Sequence, residues 1–307
     1  MSSTDQRWFH RRATLAGEGW ESVVDERTPG WQHTGLRIAE LSPTDSLVLA
    51  PAGIERIVIP LSGSFTVTLD DQAGATTTRL NGRASVFAGP TDALYLSSAT
   101  TGALAGEGRV AVASSPTDVV KPSRYLRAED TPVELRGRGV SSRQVHDLGS
   151  PQTLDAARLL VCEVITPAGN WSSYPPHKHD EHRAGRESRL EEIYYFESAP
   201  ARGAEHGDSD TAAFGLFSAY SSPAGEIEID AVVRTGDIAL VPHGYHGPAA
   251  AAPGYDLYYL NVMAGPDPER VWLISDDPAH AWVRSSWNGH ELDGRLPYTT
   301  DQEGGVR

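Results

Sequence analysis

The chain reads as an all-β protein, a sandwich or barrel repeated in tandem, and three observations carry that reading. Short alternating or β-branched runs recur along the 307 residues. Glycine and proline, 30 and 21 in number, interrupt them at short intervals. Long amphipathic helical patterns are absent. Many short strands divided by regular turns favour a sandwich or barrel.

In chain order, Ile57-Val58-Ile59 and Ser64-Phe65-Thr66-Val67-Thr68-Leu69 read as strands flanking Ser62-Gly63, a turn signal. Arg109-Val110-Ala111-Val112-Ala113, Glu226-Ile227-Glu228-Ile229 and Asp256-Leu257-Tyr258-Tyr259-Leu260-Asn261-Val262 read as further strands. The two halves also align. The segment from Phe87 to Leu96 can be laid on that from Val233 to Val241, and Glu55-Arg56-Ile57-Val58-Ile59 on Glu191-Glu192-Ile193-Tyr194-Tyr195. This puts Arg56 opposite Glu192 and Thr101 opposite His246. The first half has no His-x-His, so the pattern suggests a duplication in which the second copy alone kept a metal. The connection starts near Ser115–Pro122, giving expected units of 1–125 and 126–307.

Hydrophobic residues make up 39% of the chain, enough for a packed core and too many for a disordered chain. The formal net charge of -15, with no offsetting basic run, argues against nucleic acid as a partner. One cysteine, Cys162, lies in an apolar run and reads as a buried structural thiol; an intramolecular disulfide is impossible. The segment from Met1 to Arg7 lacks a signal-peptide pattern, and no apolar run approaches the roughly 20 residues that span a bilayer. The expectation is a cytoplasmic protein with no membrane partner.

The chemistry is concentrated in three segments. Tyr174-Pro175-Pro176-His177-Lys178-His179-Asp180 carries two histidines at i and i+2, which project from one face of a strand. Leu190-Glu191-Glu192-Ile193-Tyr194-Tyr195-Phe196 sets carboxylates at the head of an aromatic run. Gly236-Asp237-Ile238-Ala239-Leu240-Val241-Pro242-His243-Gly244-Tyr245-His246 supplies a strand, a turn and a later histidine. His177, His179, one of the two glutamates and His246 make an N3O set for one divalent ion. Zinc leads, and manganese, iron, nickel and cobalt also fit. His243, close to the Pro-Gly turn, is expected outside this set.

These motifs resemble those of the cupin superfamily. More specifically, Gly169–Asp180, Leu190–Tyr195 and Ala252–Pro266 are similar to segments of the 5-deoxy-glucuronate isomerase family, which is related to the uronate ketol-isomerases. The resemblance is strongest from about Arg143 to Asp277. It implies a bicupin of two double-stranded β-helix barrels with the metal in the second. It also implies conversion of 5-deoxy-D-glucuronate to 5-dehydro-2-deoxy-D-gluconate in myo-inositol catabolism. Matching Glu-Ile-Tyr-Tyr-Phe to the related uronate isomerases selects Glu192 as the ligand, whereas counting back from the turn as in ordinary cupins selects Glu191. Two departures stand out: a charged insert, Glu181–Glu187, lengthens the gap after His179, and the second motif is one residue short before its histidine.

Aldose–ketose isomerisation moves a proton between adjacent carbons, so a base is needed beside the ion. Glu191, Lys178 and Tyr259 are the expected catalytic residues, with Tyr194 and Tyr258 as further candidates. Lys178, lying between two ligands on a strand, should face away from the ion. The substrate carboxylate calls for an arginine, with Arg189 and Arg143 as candidates. The expected partners are a small carboxylated sugar and, because cupin sheets leave strand edges, a second copy in a homodimer. The rival functions are a metal-dependent dioxygenase, since the ligand set does not fix the reaction, and a non-catalytic sugar-binding bicupin.

Overall fold

The computed structural model describes residues 4–49, 52–71, 74–204 and 212–299. Residues 1–3, part of the segment read above for a leader, lie outside the described ones. Among the described residues nearly all regular structure is strand; the one α-helix is the four-residue Val283–Ser286. Every strand named from the sequence lies within an observed one: Ile54–Pro60, Gly63–Asp71, Thr101–Pro116, Gly225–Val233 and Tyr255–Ala264. No helix among the described residues is long and apolar enough to cross a membrane.

Two antiparallel sheets pack back to back and repeat one plan. In the first the order is Arg124–Leu126, Ala93–Leu96, Ile54–Pro60, Thr101–Pro116, Gly35–Leu41, Ser22–Val24. In the second it is Phe9–His10, Ile238–Val241, Glu191–Pro200, Tyr255–Ala264, Leu160–Thr166, Arg143–Asp147, Val133–Arg136. The registers repeat as well. Arg56 pairs with Leu96 as Glu192 pairs with Val241, the same correspondences that the sequence alignment gives. The outermost strands are exchanged: Phe9–His10 of the first half covers the Ile238–Val241 edge, and Arg124–Leu126 covers the Ala93–Leu96 edge of the first sheet. The expected division at 125/126 therefore falls within an exchanged strand. Each exchange pairs an edge that would otherwise offer bare backbone groups.

The period of two along each strand sorts residues between two cores. In the first half, Val58, Leu94, Leu96 and Val112 point into the barrel with Phe65 and Val67. Their neighbours Ile57, Ile59, Tyr95 and Ala113 face the other way and pack with Ile193, Tyr195, Leu240 and Val262 of the second sheet. Burying each such Ile, Leu or Val contributes about 1.5–3 kcal/mol. The barrels thus share one apolar seam.

Polar groups cross this seam reciprocally. Glu55 accepts hydrogen bonds from the backbone N–H groups of Ala157 (2.7 Å), Arg158 (2.6 Å) and Leu159 (2.8 Å). Glu191, its counterpart in the alignment, accepts from those of Gln32 (3.2 Å), His33 (2.6 Å) and Thr34 (2.6 Å). Each barrel lends a carboxylate to satisfy a loop of the other. Buried N–H groups left without an acceptor cost about 1–3 kcal/mol each. Glu55→Ala and Glu191→Ala should each therefore lower unfolding free energy by about 3 kcal/mol, with bound metal unchanged. Urea melts and metal analysis would check this; metal loss in Glu191→Ala with unaltered stability would assign that residue to the metal centre instead.

Candidate metal centre

The opposite wall of the second barrel holds the histidines. Gly225–Val233, Gly215–Ser222, Tyr245–Ala251, His177–Lys178 and Ser275–Asp276 form its sheet in that order. His177 is directly paired with His246, so the two imidazoles start from adjacent strand positions. Two residues further on, His179 shares the face of His177. Their ring centroids lie 4.6 Å (His177–His246), 4.7 Å (His179–His246) and 6.2 Å (His177–His179) apart. One ring nitrogen from each lies within 4.8 Å of the others, an arrangement able to hold a metal ion, and all three residues are buried.

Glu192 comes from across the barrel. Its Oε2 is 3.0 Å from Nε2 of His179 and 3.1 Å from Nε2 of His246. The contact to His246 lacks the alignment of a hydrogen bond, and that buried nitrogen has no hydrogen-bond partner. The far nitrogens are all engaged. Nδ1 of His177 faces the carbonyl of Pro175 (3.4 Å), that of His179 the carbonyl of Leu190 (3.2 Å) and that of His246 the carbonyl of Gly244 (3.2 Å). A carbonyl only accepts, so Nδ1 of each ring carries a proton and Nε2 is the inward-facing atom, which in His179 donates to Glu192. Such second contacts orient metal-binding imidazoles. An unpartnered inward nitrogen and a facing carboxylate fit a divalent cation.

Electrostatics agree with this arrangement. Burial, joined by the neighbouring imidazoles of His246 and His179, holds His177 well below its usual value and keeps it neutral. Burial opposes charge on Glu192, but contact with His179 and His246 outweighs it and brings the carboxyl down to about 2. Burial also opposes charge on His179, yet its hydrogen bond to Glu192 raises it above the ordinary 6.5.

The charged insert leaves these residues together because it folds out as a hairpin, Asp180–Arg183 against Glu187–Arg189. At its base Leu190 N–H donates to the carbonyl of His179 (2.8 Å), which sets Glu192 opposite the histidines. Lys178 fastens the hairpin: its ammonium donates to Asp180 (2.6 Å), Glu187 (2.7 Å) and Glu181 (3.1 Å). Despite burial, Asp180 and Glu187 hold its pKa above the usual lysine range. Asp180 also accepts from the N–H of Gly244 (2.9 Å), whose carbonyl orients His246.

Two of the three expected catalytic residues therefore sit elsewhere. Glu191 points across the seam, because neighbours on a strand face opposite ways and Glu192 takes the inward place. Lys178 points out of the barrel for the same reason, into acids that keep it charged and unfit as a base. Tyr259 does face the interior, on a cleft of about 770 Å³ that includes His177, Tyr194 and Arg143. Burial pushes its phenol above the usual tyrosine range, so the hydroxyl stays protonated. Tyr258 lies on the other face and donates to Glu163 (2.6 Å). His243 bonds the carbonyl of Glu226 (3.2 Å), outside the cluster. Arg189 is exposed and paired with Asp267 (3.0 Å). Sequence reading passed over Asn261, a buried cleft residue whose Nδ2 lacks a partner, and Trp287 on the cleft's far wall. Alternation along Tyr255–Ala264 marks Asn261 as inward-facing; no local pattern marks Trp287.

Comparison with known proteins agrees with this geometry. The model of the KduI/IolB family matches residues 8–283, and the chain belongs to that family. It is 37% identical over 256 residues to a 5-deoxy-glucuronate isomerase of Bacillus velezensis, covering 82% of this chain and 88% of that protein. It is 38% identical over 232 residues to a 5-deoxy-glucuronate isomerase of Bacillus subtilis strain 168, covering 75% and 79%. Among solved structures, an IolB-like protein of Salmonella typhimurium superposes with a TM-score of 0.78 at 31% identity, over 90% of this chain and 98% of that one. An oxalate decarboxylase of Lactobacillus farciminis superposes with a TM-score of 0.60 at 11% identity, over 89% of each chain, a likeness of fold alone. The fold is a bicupin.

Protons compete with a metal for imidazole nitrogen. Because the folded pKa of His179 is raised, competition begins above 6.5 and grows as pH falls, while His177 stays neutral. Zinc affinity should fall as pH drops, approaching about tenfold per unit once His179 is protonated, and His177→Ala should lose the metal while keeping its all-β circular dichroism. Competition titration with a chromophoric chelator checks both, and a pH-independent affinity would contradict the assignment.

Proposed function

We propose that this member of the KduI/IolB family is a metal-dependent aldose–ketose isomerase converting 5-deoxy-D-glucuronate to 5-dehydro-2-deoxy-D-gluconate in myo-inositol catabolism. The observation that carries this reading is the inward-facing group of His177, His179, His246 and Glu192, opening on a cleft in a chain similar over most of its length to 5-deoxy-glucuronate isomerases. Those four residues are the proposed ligands of one divalent ion, with zinc first on donor chemistry. When bound, the ion supplies Lewis acidity toward a carbonyl oxygen and the hydroxyl beside it.

The chain's own residues do the rest. Tyr194 and Tyr259 pack at 5.2 Å between ring centroids on the cleft wall. Burial raises both phenols, so each keeps its proton and offers a hydrogen-bond donor to substrate oxygen. The Tyr194 hydroxyl is fixed by Ser173 Oγ at 3.1 Å. Val145 and Val164 give the cleft an apolar part of its lining. The first barrel, in which the described residues form no histidine group of this kind, serves as scaffold: it supplies the Gln32–Thr34 loop that takes up Glu191 on the outer face of the strand whose inner face carries Glu192.

Proton NMR and mass spectrometry of the metal-loaded enzyme test this reading. Isomerisation by proton transfer should proceed without oxygen, leave the mass unchanged in water, incorporate solvent deuterium in heavy water, and stop with a chelator. Oxygen consumption or a change of substrate mass in water would overturn it.

A further inference from the structure

We propose that Arg143 is the residue that recognises the carboxylate of the sugar, making charge selection in this cleft the work of the one lining guanidinium that is half-buried and without an ion pair among the described residues. This deepens the isomerase reading and rests on it for the identity of the reacting sugar. Four arginines line the cleft. Arg136 is neutralised by Glu134 at 2.8 Å and Arg284 by Asp276 at 2.6 Å. Arg138 is exposed and bonds the carbonyl of Gly137 (2.7 Å). Arg143 differs from all three. Among the described residues it makes no ion pair, and its one hydrogen bond is from Nη1 to the carbonyl of Ser141 at 3.1 Å.

The surroundings are shaped for this side chain. Its guanidinium lies 5.7 Å from the ring centre of Trp287. Gly137 adopts a left-handed conformation (φ 74°), and a Cβ there would come within 2.8 Å of Nη1 and within 2.0 Å of the Ser141 carbonyl oxygen. Any other residue at 137 would crowd the guanidinium. Four of the five N–H donors remain for a ligand, in the planar fork that matches a carboxylate. Arg143 is half-buried in the cleft wall; desolvation lowers its pKa to about 10, and the nearby guanidinium groups of Arg136 and Arg284 add to that. A half-buried guanidinium without an ion-pair partner is poised to take one, and here the partner arrives with the substrate. The cleft it shares with His177 then places the anion and the reacting carbons of one molecule in a single cavity.

Wild type, Arg143→Met and Arg143→Lys, all metal-loaded, are compared on 5-deoxy-D-glucuronate and on 5-deoxy-D-glucose, which carries an alcohol in place of the carboxylate. Arg143→Met should lose about 100-fold in kcat/KM on the uronate, mostly in KM, and change less than about threefold on the neutral sugar; Arg143→Lys should fall between. Metal content should be unchanged and the melting temperature no lower than that of wild type. Parallel losses on both sugars, or a lowered melting temperature with an unchanged KM for the uronate, would give Arg143 a merely structural role and overturn the proposal. Calorimetric binding of D-glucuronate against D-glucose provides an arm that needs no turnover. Wild type should prefer the glucuronate by about tenfold or more, and Arg143→Met should abolish the preference. Absence of preference in wild type overturns the proposal. Preference without isomerisation leaves it standing and sinks the isomerase reading instead.

Discussion

The strand Glu191–Pro200 lies between two barrels, and the strict alternation of its side chains is the constraint on which the rest depends. Odd positions, Glu191, Ile193 and Tyr195, face the first barrel; Glu192, Tyr194 and Phe196 face the interior of the second. One register therefore fixes two things at once. A slip of one residue would send Glu192 to the Gln32–Thr34 loop and Glu191 among the imidazoles, with every aromatic side chain on the wrong face. The seam holds that register through apolar packing and through the carboxylate that Glu191 gives to three backbone N–H groups. In this way a barrel without a histidine group contributes to a centre it does not touch.

The first barrel keeps the frame of such a centre with different chemistry in it. Arg56 stands where Glu192 stands in the second, fully buried, and its Nη2 donates to the carbonyls of Ser97 (3.0 Å) and Thr100 (2.6 Å). The side chain brings its own positive charge to the barrel interior and satisfies backbone acceptors there. A cationic side chain in that position disfavours a metal cation beside it, in keeping with a histidine group found, among the described residues, in the second barrel.

Much of this was legible in the sequence, for physical reasons that differ residue by residue. Strands declare themselves through period-two patterning, so the all-β reading and the tandem repeat follow from Ile57, Val67, Ile229 and their neighbours. His177, His179 and His246 are legible because metal chemistry restricts residue type and spacing. The choice between Glu191 and Glu192 was narrowed to a parity question, which only the register of the strand answers. Glu191 and Lys178 lie away from the histidine cluster because proximity in sequence to His177, His179 or Glu192 is not proximity in space: on a strand the neighbour of an inward residue points outward. Arg143 was one candidate of two, and what separates it from Arg189 is the Asp267 carboxylate beside the latter, a contact across 78 positions of sequence. Long-range pairing of this kind leaves no local trace. The exchanged strands at Phe9–His10 and Arg124–Leu126 are likewise too short to announce themselves.

The most direct test of the account is anomalous diffraction from crystals of the protein loaded with zinc, recorded on both sides of the metal's absorption edge. The account predicts one strong peak inside the second barrel, about 2.0–2.2 Å from Nε2 of His177, His179 and His246 and from one oxygen of Glu192. No peak there, or a peak instead among Asp180, Glu181 and Glu187 at the base of the hairpin, would contradict it.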